Sequence, residues 1–250
     1  MRQEVETALI NKLTALADDE LILAHRNSEW TGHAPILEED IALANIAQDE
    51  LGHATLWYGL LAPLDGSDAD TLVYTRGLND WRNVQFVELP KGDWAFTMLR
   101  QYLFDMYEQL YLKRLTESSY EPLAHVVQKM LREERFHVQH THAWVKRLGL
   151  GTEESNTRMQ RALDELWAYA QELFIPVSDE EVLITEDIFP DLQEVKKVWL
   201  EHVTQHLEAS NLSLPDGETP LTSREVHTQH LDQLLDELQE VARLEPEGTW

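Results

Sequence analysis

The amino-acid sequence predicts an all-α protein built around a four-helix bundle, with further helices at its C-terminal end. Three observations predict this fold. Apolar residues recur at helical spacing along most of the 250 residues. Proline and glycine residues lie between most of these periodic segments and mark where helices end. One long connection, Asp65–Asp93, separates the second predicted helix from the third, whereas short turns flank the first pair and the second pair.

The four helices of the bundle follow from apolar stripes. The first stripe runs through Leu9, Leu13, Leu16 and Leu23. Pro63 and Gly66 end the second helix, and a proline in the first turn begins the fourth. The predicted helices are Glu4–Asn27, Leu37–Leu61, Trp94–Glu117 and Pro122–Leu148.

The connections then define the type of bundle. The long connection contains Val84–Leu89, predicted as a short extended piece, and ends in the turn Pro90–Asp93. A short loop, a long crossover and a second short loop are the connectivity of ferritin-like bundles. We expect one domain over residues 1–250, because no linker-like or low-complexity tract divides it. Three further helices are predicted at Glu154–Phe174, Asp191–His206 and Ser223–Leu244.

Composition limits the possible functions. The formal net charge is −26, so nucleic acid and anionic membranes are poor partners on electrostatic grounds. No apolar run reaches the roughly 20 residues of a membrane span. The sequence has no cysteine, so a metal site must use histidine and carboxylate ligands. No signal peptide is recognisable, and we expect a cytoplasmic protein.

Two Glu-x-x-His motifs carry the functional prediction. Glu50 and His53 form the first motif, and Glu134 and His137 form the second. Residues i and i+3 share a helix face, so each helix offers one carboxylate and one imidazole to a metal. The motif alone is a weak signal, but here both motifs lie inside apolar stripes. Buried carboxylates need compensating charge, and two such helices are typical of a di-iron or di-manganese carboxylate site.

The other two bundle helices each supply one acidic residue within an apolar stripe. Glu20 lies 30 residues before Glu50, and Asp105 lies 29 residues before Glu134. The matching spacings predict that each lone carboxylate lies at the same depth as a Glu-x-x-His motif. The predicted metal ligands are therefore Glu20, Glu50, His53, Asp105, Glu134 and His137.

Some acidic residues compete with this assignment. Glu108, one turn after Asp105, is the main competitor for that position. Asp18 and Asp19 fall off the stripe of the first helix, and Glu133 is four residues from His137 and points further round. His140 is a candidate donor to a ligand rather than a ligand. The alternative reading of the whole set is that these residues are partly exposed or form salt bridges.

A family resemblance covers essentially the whole chain. The stretch Glu29-Trp-Thr-Gly-His-Ala-Pro-Ile-Leu-Glu-Glu-Asp-Ile-Ala-Leu-Ala-Asn-Ile, followed by Asp49-Glu-Leu-Gly-His, resembles the C-subunit family of the bacterial phenylacetyl-CoA epoxidases. The 29–46 stretch is highly specific. Further matches are Asp70-Thr-Leu, Thr75-Arg, Val87-Glu-Leu-Pro, Arg100-Gln-Tyr, Leu148-Gly, His227-Thr-Gln-His-Leu and the tail that ends in Trp250.

The resemblance implies a ferritin-like fold and a place in a multicomponent oxygenase that epoxidises the ring of phenylacetyl-CoA during aerobic phenylacetate breakdown. It implies that a related A subunit is the catalytic di-iron protein, that the C subunit is its structural partner, and that a reductase subunit supplies electrons. It also implies homo- and hetero-oligomers. The sequence offers no Gly-rich phosphate loop and no clear basic patch for coenzyme A, so we expect the partner to bind most of the substrate.

The chain departs from the usual C-subunit pattern at its two motifs. Familiar C subunits have lost the metal ligands, whereas Glu50–His53 and Glu134–His137 look like the motifs of the A subunit. If iron is bound, that likeness implies bridging roles for Glu50 and Glu134, one iron held by each histidine, and Glu20 and Asp105 as terminal ligands. Three hypotheses follow: a scaffold subunit that retains a metal site, an independently catalytic di-iron oxygenase subunit, and a ferritin-like iron-oxidising or storage protein.

Overall fold

Four long helices form the bundle in a computed structural model that describes residues 2–216, 221–245 and 248. These residues form helices and no strand, which confirms the all-α prediction and the ferritin-like bundle. The tail ending in Trp250 lies outside the described residues. The bundle helices are α1 (Gln3–Ser28), α2 (Leu37–Gly59), α3 (Trp94–Leu115) and α4 (Glu121–Gly149).

The four helices pair as the sequence predicts. Helix α1 packs along α2, and α3 packs along α4. The Asp93 side chain accepts a hydrogen bond from the backbone N–H of Phe96 and caps the start of α3, and a proline lies in the first turn of α4. The pairs meet across a buried apolar core, and α2 also contacts α4. This arrangement brings the two Glu-x-x-His motifs onto neighbouring helices.

The long connection is helical where the sequence predicts an extended piece. Gln85–Glu88 forms one turn of helix, so the extended prediction for Val84–Leu89 is wrong. Phe86 and Val87 are both fully buried, and a short apolar run that is buried on all sides has no periodicity that separates strand from helix. The other short helices of the connection are Ala62–Asp65, Ala69–Tyr74 and the 3₁₀ turn Leu78–Asp80.

Two consecutive carboxylates of α1 hold this connection in place. Asp18 accepts hydrogen bonds from the Arg76 guanidinium at 2.6 Å and from the backbone N–H of Arg82 at 2.8 Å. Asp19 accepts one from the backbone N–H of Val84 at 2.8 Å. Both aspartates are fully buried or nearly so. The crossover is therefore fixed to α1 by polar contacts that lie inside the core.

Three longer helices follow α4: the first two pack against the bundle, and the third packs against the short helices of the crossover. They are α5 (Glu153–Ala170), which a 3₁₀ turn at Gln171–Phe174 extends, α6 (Leu192–Ala209) and α7 (Gln229–Leu244). A short helix that the sequence analysis does not predict spans Glu180–Thr185. No helix in the described ranges is long and apolar enough to cross a membrane.

Helix α7 begins six residues after its predicted start at Ser223. The intervening residues are used for tertiary contacts instead of helix. Arg224 pairs with the buried Asp19 at 2.9 Å, and the imidazole of His227 lies 2.7 Å from a carboxylate oxygen of Glu88. The Thr228 side chain then accepts the N–H of His230 and caps the helix.

Gly149, the last residue of α4, lies where the chain packs tightly against the end of α6. A Cβ atom at this position would collide with the backbone oxygen of Ser210. Gly149→Ala should therefore destabilise the protein by about 1–3 kcal/mol, because backbone must move to make room. Gly52→Ala is the matched control, since a Cβ there has open space and alanine favours a helix interior by up to about 1 kcal/mol. Urea unfolding of both variants measures the difference, and equal effects would contradict the packing argument.

Candidate metal centre

Seven ionisable side chains meet in the middle of the bundle, each at most 3% exposed. They form two groups, and within each group the candidate ligand atoms lie within 4.8 Å of one another. The two groups have one member in common, Glu50. The first group is Glu20, Glu50, His53 and Glu108, and the second is Glu50, Asp105, Glu134 and His137.

The structure brings together all six residues of the predicted ligand set and adds Glu108. The competition between Asp105 and Glu108 disappears, because the two side chains enter different groups. They are three residues apart on α3 and share a helix face. The two helical pairs therefore supply five carboxylates and two imidazoles. Of the two carboxylates expected to bridge, only Glu50 belongs to both groups; Glu134 belongs to one.

The imidazoles point into the groups through the same ring atom. His53 Nδ1 lies 3.4 Å from Glu108 Oε1 and 3.6 Å from Glu50 Oε2. His137 Nδ1 lies 3.1 Å from Glu134 Oε2 and 3.7 Å from Glu50 Oε1. The ring centroids are 6.1 Å apart. Each ring therefore offers Nδ1 to the interior and leaves Nε2 for a contact on its other side.

Two acidic residues make those outer contacts, and each comes from the opposite motif helix. Glu133 of α4 lies 3.3 Å from Nε2 of His53, and Asp49 of α2 lies 3.2 Å from Nε2 of His137. A carboxylate on the outer nitrogen fixes the tautomer and orientation of a metal-binding histidine. The sequence analysis misses this role. The sequence signal for this role is the acidic residue that directly precedes the glutamate of each motif, Asp49 in the first and Glu133 in the second.

Gln101 joins the two helical pairs inside the site. Its Nε2 donates hydrogen bonds to Glu50 and to Asp105, both at 2.6 Å, and its Oε1 accepts one from Asn27. The hydroxyl of Thr141 donates to the other oxygen of Asp105 at 2.7 Å. Both oxygens of Asp105 thus have hydrogen-bond partners. Sequence reasoning also misses Gln101, because a buried amide has no distinctive pattern.

Other candidates have different roles. Asp18 accepts a hydrogen bond from Arg76 of the crossover, and Asp19 accepts one from Arg224. Neither aspartate belongs to the two groups of candidate ligands, which agrees with their position off the apolar stripe. His140 lies 3.1 Å from Glu39 and forms no hydrogen bond with a candidate ligand within the described residues, so the structure does not support its candidate role as a donor to one. His142 stacks on His206 with ring centroids 3.5 Å apart.

Several buried polar atoms of the site have no hydrogen-bond partner among the described residues. A buried polar atom without a partner is costly, so such a concentration calls for a ligand. Asp105 differs from the other carboxylates of the site, because Gln101 and Thr141 donate hydrogen bonds to its two oxygens. The atoms without a partner are Glu20 Oε2, Glu50 Oε2, His53 Nδ1, both carboxylate oxygens of Glu108, and Glu134 Oε1.

Burial and neighbouring charges shift the pKa values of the ionisable groups in the candidate site. Burial raises the pKa of Glu20, Asp105 and Glu134 well above the ordinary range, and neighbouring carboxylates add to the effect. Burial lowers the pKa of the two imidazoles, but the acidic neighbours outweigh it and hold both pKa values well above 6.5.

Glu50 differs from the other carboxylates. Burial raises its pKa, but hydrogen bonding with Glu20 and His53 and the positive charges of the two imidazoles outweigh burial and leave the pKa at about 2. The side-chain types and these orphaned atoms fit cations: carboxylate oxygens and imidazole nitrogens suit iron and manganese. Either group could hold a metal ion.

A helical bundle of ferritin-like connectivity with buried carboxylate and histidine clusters defines a class of potential metal-binding carboxylate proteins. Comparison with known proteins then identifies the family. The model of the phenylacetic acid catabolic protein family matches residues 1–250, and the chain belongs to this family.

Two curated relatives come from Escherichia coli (strain K12). The chain is 37% identical over 248 residues to the C subunit of 1,2-phenylacetyl-CoA epoxidase, a match that covers 96% of this chain and 100% of the relative. It is 22% identical over 225 residues to the A subunit of 1,2-phenylacetyl-CoA epoxidase, a match that covers 88% of this chain and 72% of the relative. The chain is therefore similar to both proteins, and more similar to the C subunit.

The outer carboxylates generate a testable expectation for metal affinity. Asp49→Asn and Glu133→Gln should each weaken metal binding by about 10–100-fold, because the imidazole loses the anion that orients it. Glu39→Gln is the matched control, since Glu39 contacts His140 and Trp144 and no candidate ligand. Competition titration against a metal chelator measures the dissociation constants. Unchanged affinity in both test variants would show that the outer contacts do not support a metal.

Proposed function

We propose that this chain is a C-type subunit of a multicomponent phenylacetyl-CoA ring epoxidase, works in the cytoplasm with a reductase and a catalytic A-type subunit, and binds two iron ions of its own. The assignment to the C type is supported by 37% identity to the C subunit of an epoxidase over nearly the full length of both chains. The weaker similarity to an A subunit supports pairing between two chains of common ancestry.

One observation supports the metal proposal: two adjacent groups of ligand atoms that share Glu50 and contain orphaned oxygens. Five carboxylates bring a charge of −5 when all are ionised, and two divalent cations would compensate most of it. Each cation would replace protons that the raised pKa values of Glu20, Asp105 and Glu134 retain in the metal-free protein. Manganese is the second candidate metal, because it accepts the same ligand types.

We assign the ligands by group. Glu20, His53 and Glu108 would hold one ion, Glu134 and His137 the other, and Glu50 would contact both. Asp105 would be a further ligand of the second ion, and Gln101 and Thr141 hold its carboxylate in a fixed orientation. When bound, such an iron pair supplies the capacity to activate dioxygen.

The residues of this chain have identifiable tasks around that pair. Asp49 and Glu133 orient the two imidazoles, and Gln101 holds the shared carboxylate against α3. Trp57 closes the site beside Glu20: its indole N–H points to Glu20 Oε1 at 3.4 Å, and its ring is 1% exposed. Apolar packing of this kind excludes bulk water, and a dry pocket strengthens electrostatic interactions within the site.

A second candidate function is catalysis by this chain's own site. The complete ligand set favours it, because a purely structural subunit has no need to retain seven buried ionisable groups that destabilise an empty core. Iron storage, the third hypothesis, has no specific observation in its favour.

Metal analysis tests the metal proposal. After anaerobic reconstitution with ferrous iron, the wild type should bind about two iron ions per chain, and Glu50→Ala should bind less than one, because both groups lose their common ligand. Glu88→Ala tests for general damage, since Glu88 is a fully buried carboxylate that contacts Asn83 and His227 outside the site. Iron well below one per chain in the wild type would overturn the proposal.

Reconstitution of the complex tests the C-type assignment and the second candidate function. Mixed with A-type and reductase subunits, the chain should form a stable complex and support epoxidation of phenylacetyl-CoA. With the metal site of the A-type partner disabled, a scaffold role predicts no product, and independent catalysis predicts product that Glu50→Ala abolishes. Failure to bind the A-type partner would contradict the C-type assignment.

A further inference from the structure

The candidate metal centre is enclosed by the bundle, so a cation needs a route into it. All seven side chains of the two groups are at most 3% exposed. On the Glu20 side, Trp57 closes the site with a ring that is 1% exposed. An ion that enters the folded protein must therefore pass between two of the bundle helices. A cavity that borders a candidate ligand marks a place where the helices leave room for this passage.

A surface groove between α2 and α4 borders His137. The groove has a volume of about 570 Å³, and every residue of its wall comes from these two helices. Its wall includes Asn45 and Asp49 of α2 and Glu133, His137 and Gln139 of α4, and we call it the α2–α4 groove. The His137 side chain is 2% exposed, so its ring lies at the bottom of the groove.

Two partly exposed carboxylates line the groove on the way to the candidate ligands. The Asp49 side chain is 40% exposed and contacts Nε2 of His137 at 3.2 Å. The Glu133 side chain is 26% exposed, and its Oε2 lies 3.3 Å from Nε2 of His53. Each carboxylate therefore reaches water on one side and a candidate ligand on the other. Carboxylate oxygens are suitable ligands for divalent cations such as Fe²⁺ and Mn²⁺.

Each motif helix places an outer and an inner carboxylate in succession. On α2, Asp49 faces the groove and the next residue, Glu50, belongs to both candidate groups. On α4, Glu133 faces the groove and Glu134 belongs to the second group. Glu50 Oε2 and Glu134 Oε1 are buried and have no hydrogen-bond partner among the described residues. Oxygen atoms without a partner thus lie behind the acidic wall, on the inner side of the two imidazoles.

The charge of the groove favours cations. Asp49 and Glu133 are acidic, and within the described part of the chain no residue of the wall is a lysine or an arginine. Lys129 pairs with Oε1 of Glu133, but it is 53% exposed and lies outside the wall. A recess lined by one sign of charge concentrates ions of the opposite sign. The net charge of −26 adds to this attraction over a longer range.

We propose that the α2–α4 groove is the entry route through which a divalent metal ion reaches the candidate metal centre. Asp49 and Glu133 take the hydrated ion first, and Glu50 and Glu134 then displace its water on the inner side of the imidazoles. Entry changes only metal–ligand bonds and protonation, so it requires no oxidant or reductant. The inference rests on the proposed metal site and adds the route by which that site is filled.

An apolar small molecule is the alternative occupant of the groove. Ile46 lines the wall, and Phe136, which also lines it, is 73% exposed. An apolar molecule that covered Asp49 and Glu133 would remove water from two carboxylates and give them no new partner, which is costly. A cation gives both carboxylates a partner, so the acidic wall favours the cation.

A bulky side chain in the groove tests the route. Asn45 lies one turn before Asp49 on the same side of α2, so Asn45→Phe places a ring beside that carboxylate. The change should slow the uptake of ferrous iron at least about tenfold, because entry then waits for local opening of the helices. Release to a chelator should slow by the same factor and leave the dissociation constant unchanged, because a barrier on the path does not alter its two ends. Gln233→Phe is the matched control, since Gln233 is an exposed amide of α7 outside the groove.

Anaerobic stopped-flow mixing with ferrous iron measures the uptake rate. Trp57 provides the signal, because its indole nitrogen lies 3.4 Å from Glu20 Oε1 and bound iron should quench its fluorescence. Iron analysis gives the amount bound at equilibrium. Absence of bound iron in the wild type would overturn the metal site and the route together. Full loading of Asn45→Phe at the wild-type rate would overturn the route alone.

A charge change tests the route without adding bulk. Gln139→Lys puts a cation into the wall of the groove and should slow iron uptake several-fold at low salt. The effect should disappear at 1 M salt, where the screening length is about 3 Å. Gln233→Lys should have little effect at either salt concentration. Equal slowing by both lysine variants would show that overall charge controls entry, and it would reject the groove as the route even if Asn45→Phe fails to fold.

Discussion

The burial of five carboxylates in one helical core is the constraint on which the rest of the structure depends. Hydrogen bonds from Gln101 and Thr141 satisfy Asp105, but Glu20, Glu50, Glu108 and Glu134 keep oxygens that have no partner among the residues the structure describes. Protons or bound cations can each neutralise such a cluster, and burial raises the pKa of Glu20 and Glu134 well above the ordinary range. The bundle is therefore built around a cluster of buried acidic groups that could hold a metal ion.

Three successive acidic residues of α1 show how closely the fold and this site are linked. Asp18 binds Arg76 of the crossover, Asp19 binds Arg224 before α7, and Glu20 enters the candidate metal centre. All three are at most 3% exposed, and each points to a different part of the chain. A shift of one residue in the register of α1 would break all three sets of contacts at once. The position of Glu20 is thus secured by the anchoring of the crossover and of the C-terminal segment.

Membership of the family and the geometry of the candidate site describe different properties of this chain. Identity along the whole chain relates it to the C subunit of an epoxidase, while the few positions at the centre of the bundle form a potential metal site. Whole-chain similarity is dominated by the many residues that pack helices and form surfaces. Metal binding depends on a handful of side chains, which contribute little to an identity percentage. The two properties can therefore diverge between relatives of the same fold.

The sequence by itself determined the four bundle helices, their connectivity and six of the seven clustered side chains, because helical periodicity is local and a charged residue inside an apolar stripe is visible without coordinates. Only the tertiary structure decided that Asp105 and Glu108 enter different groups, that Glu50 is the shared residue, and that Asp49 and Glu133 reach across to the opposite histidines. These features depend on distances between helices. The helical turn Gln85–Glu88 and the late start of α7 also escaped prediction, because contacts with α1 and Glu88 override local preference there. The two Glu-x-x-His motifs thus predicted the candidate metal centre, and helix packing determined how its side chains are divided between two groups.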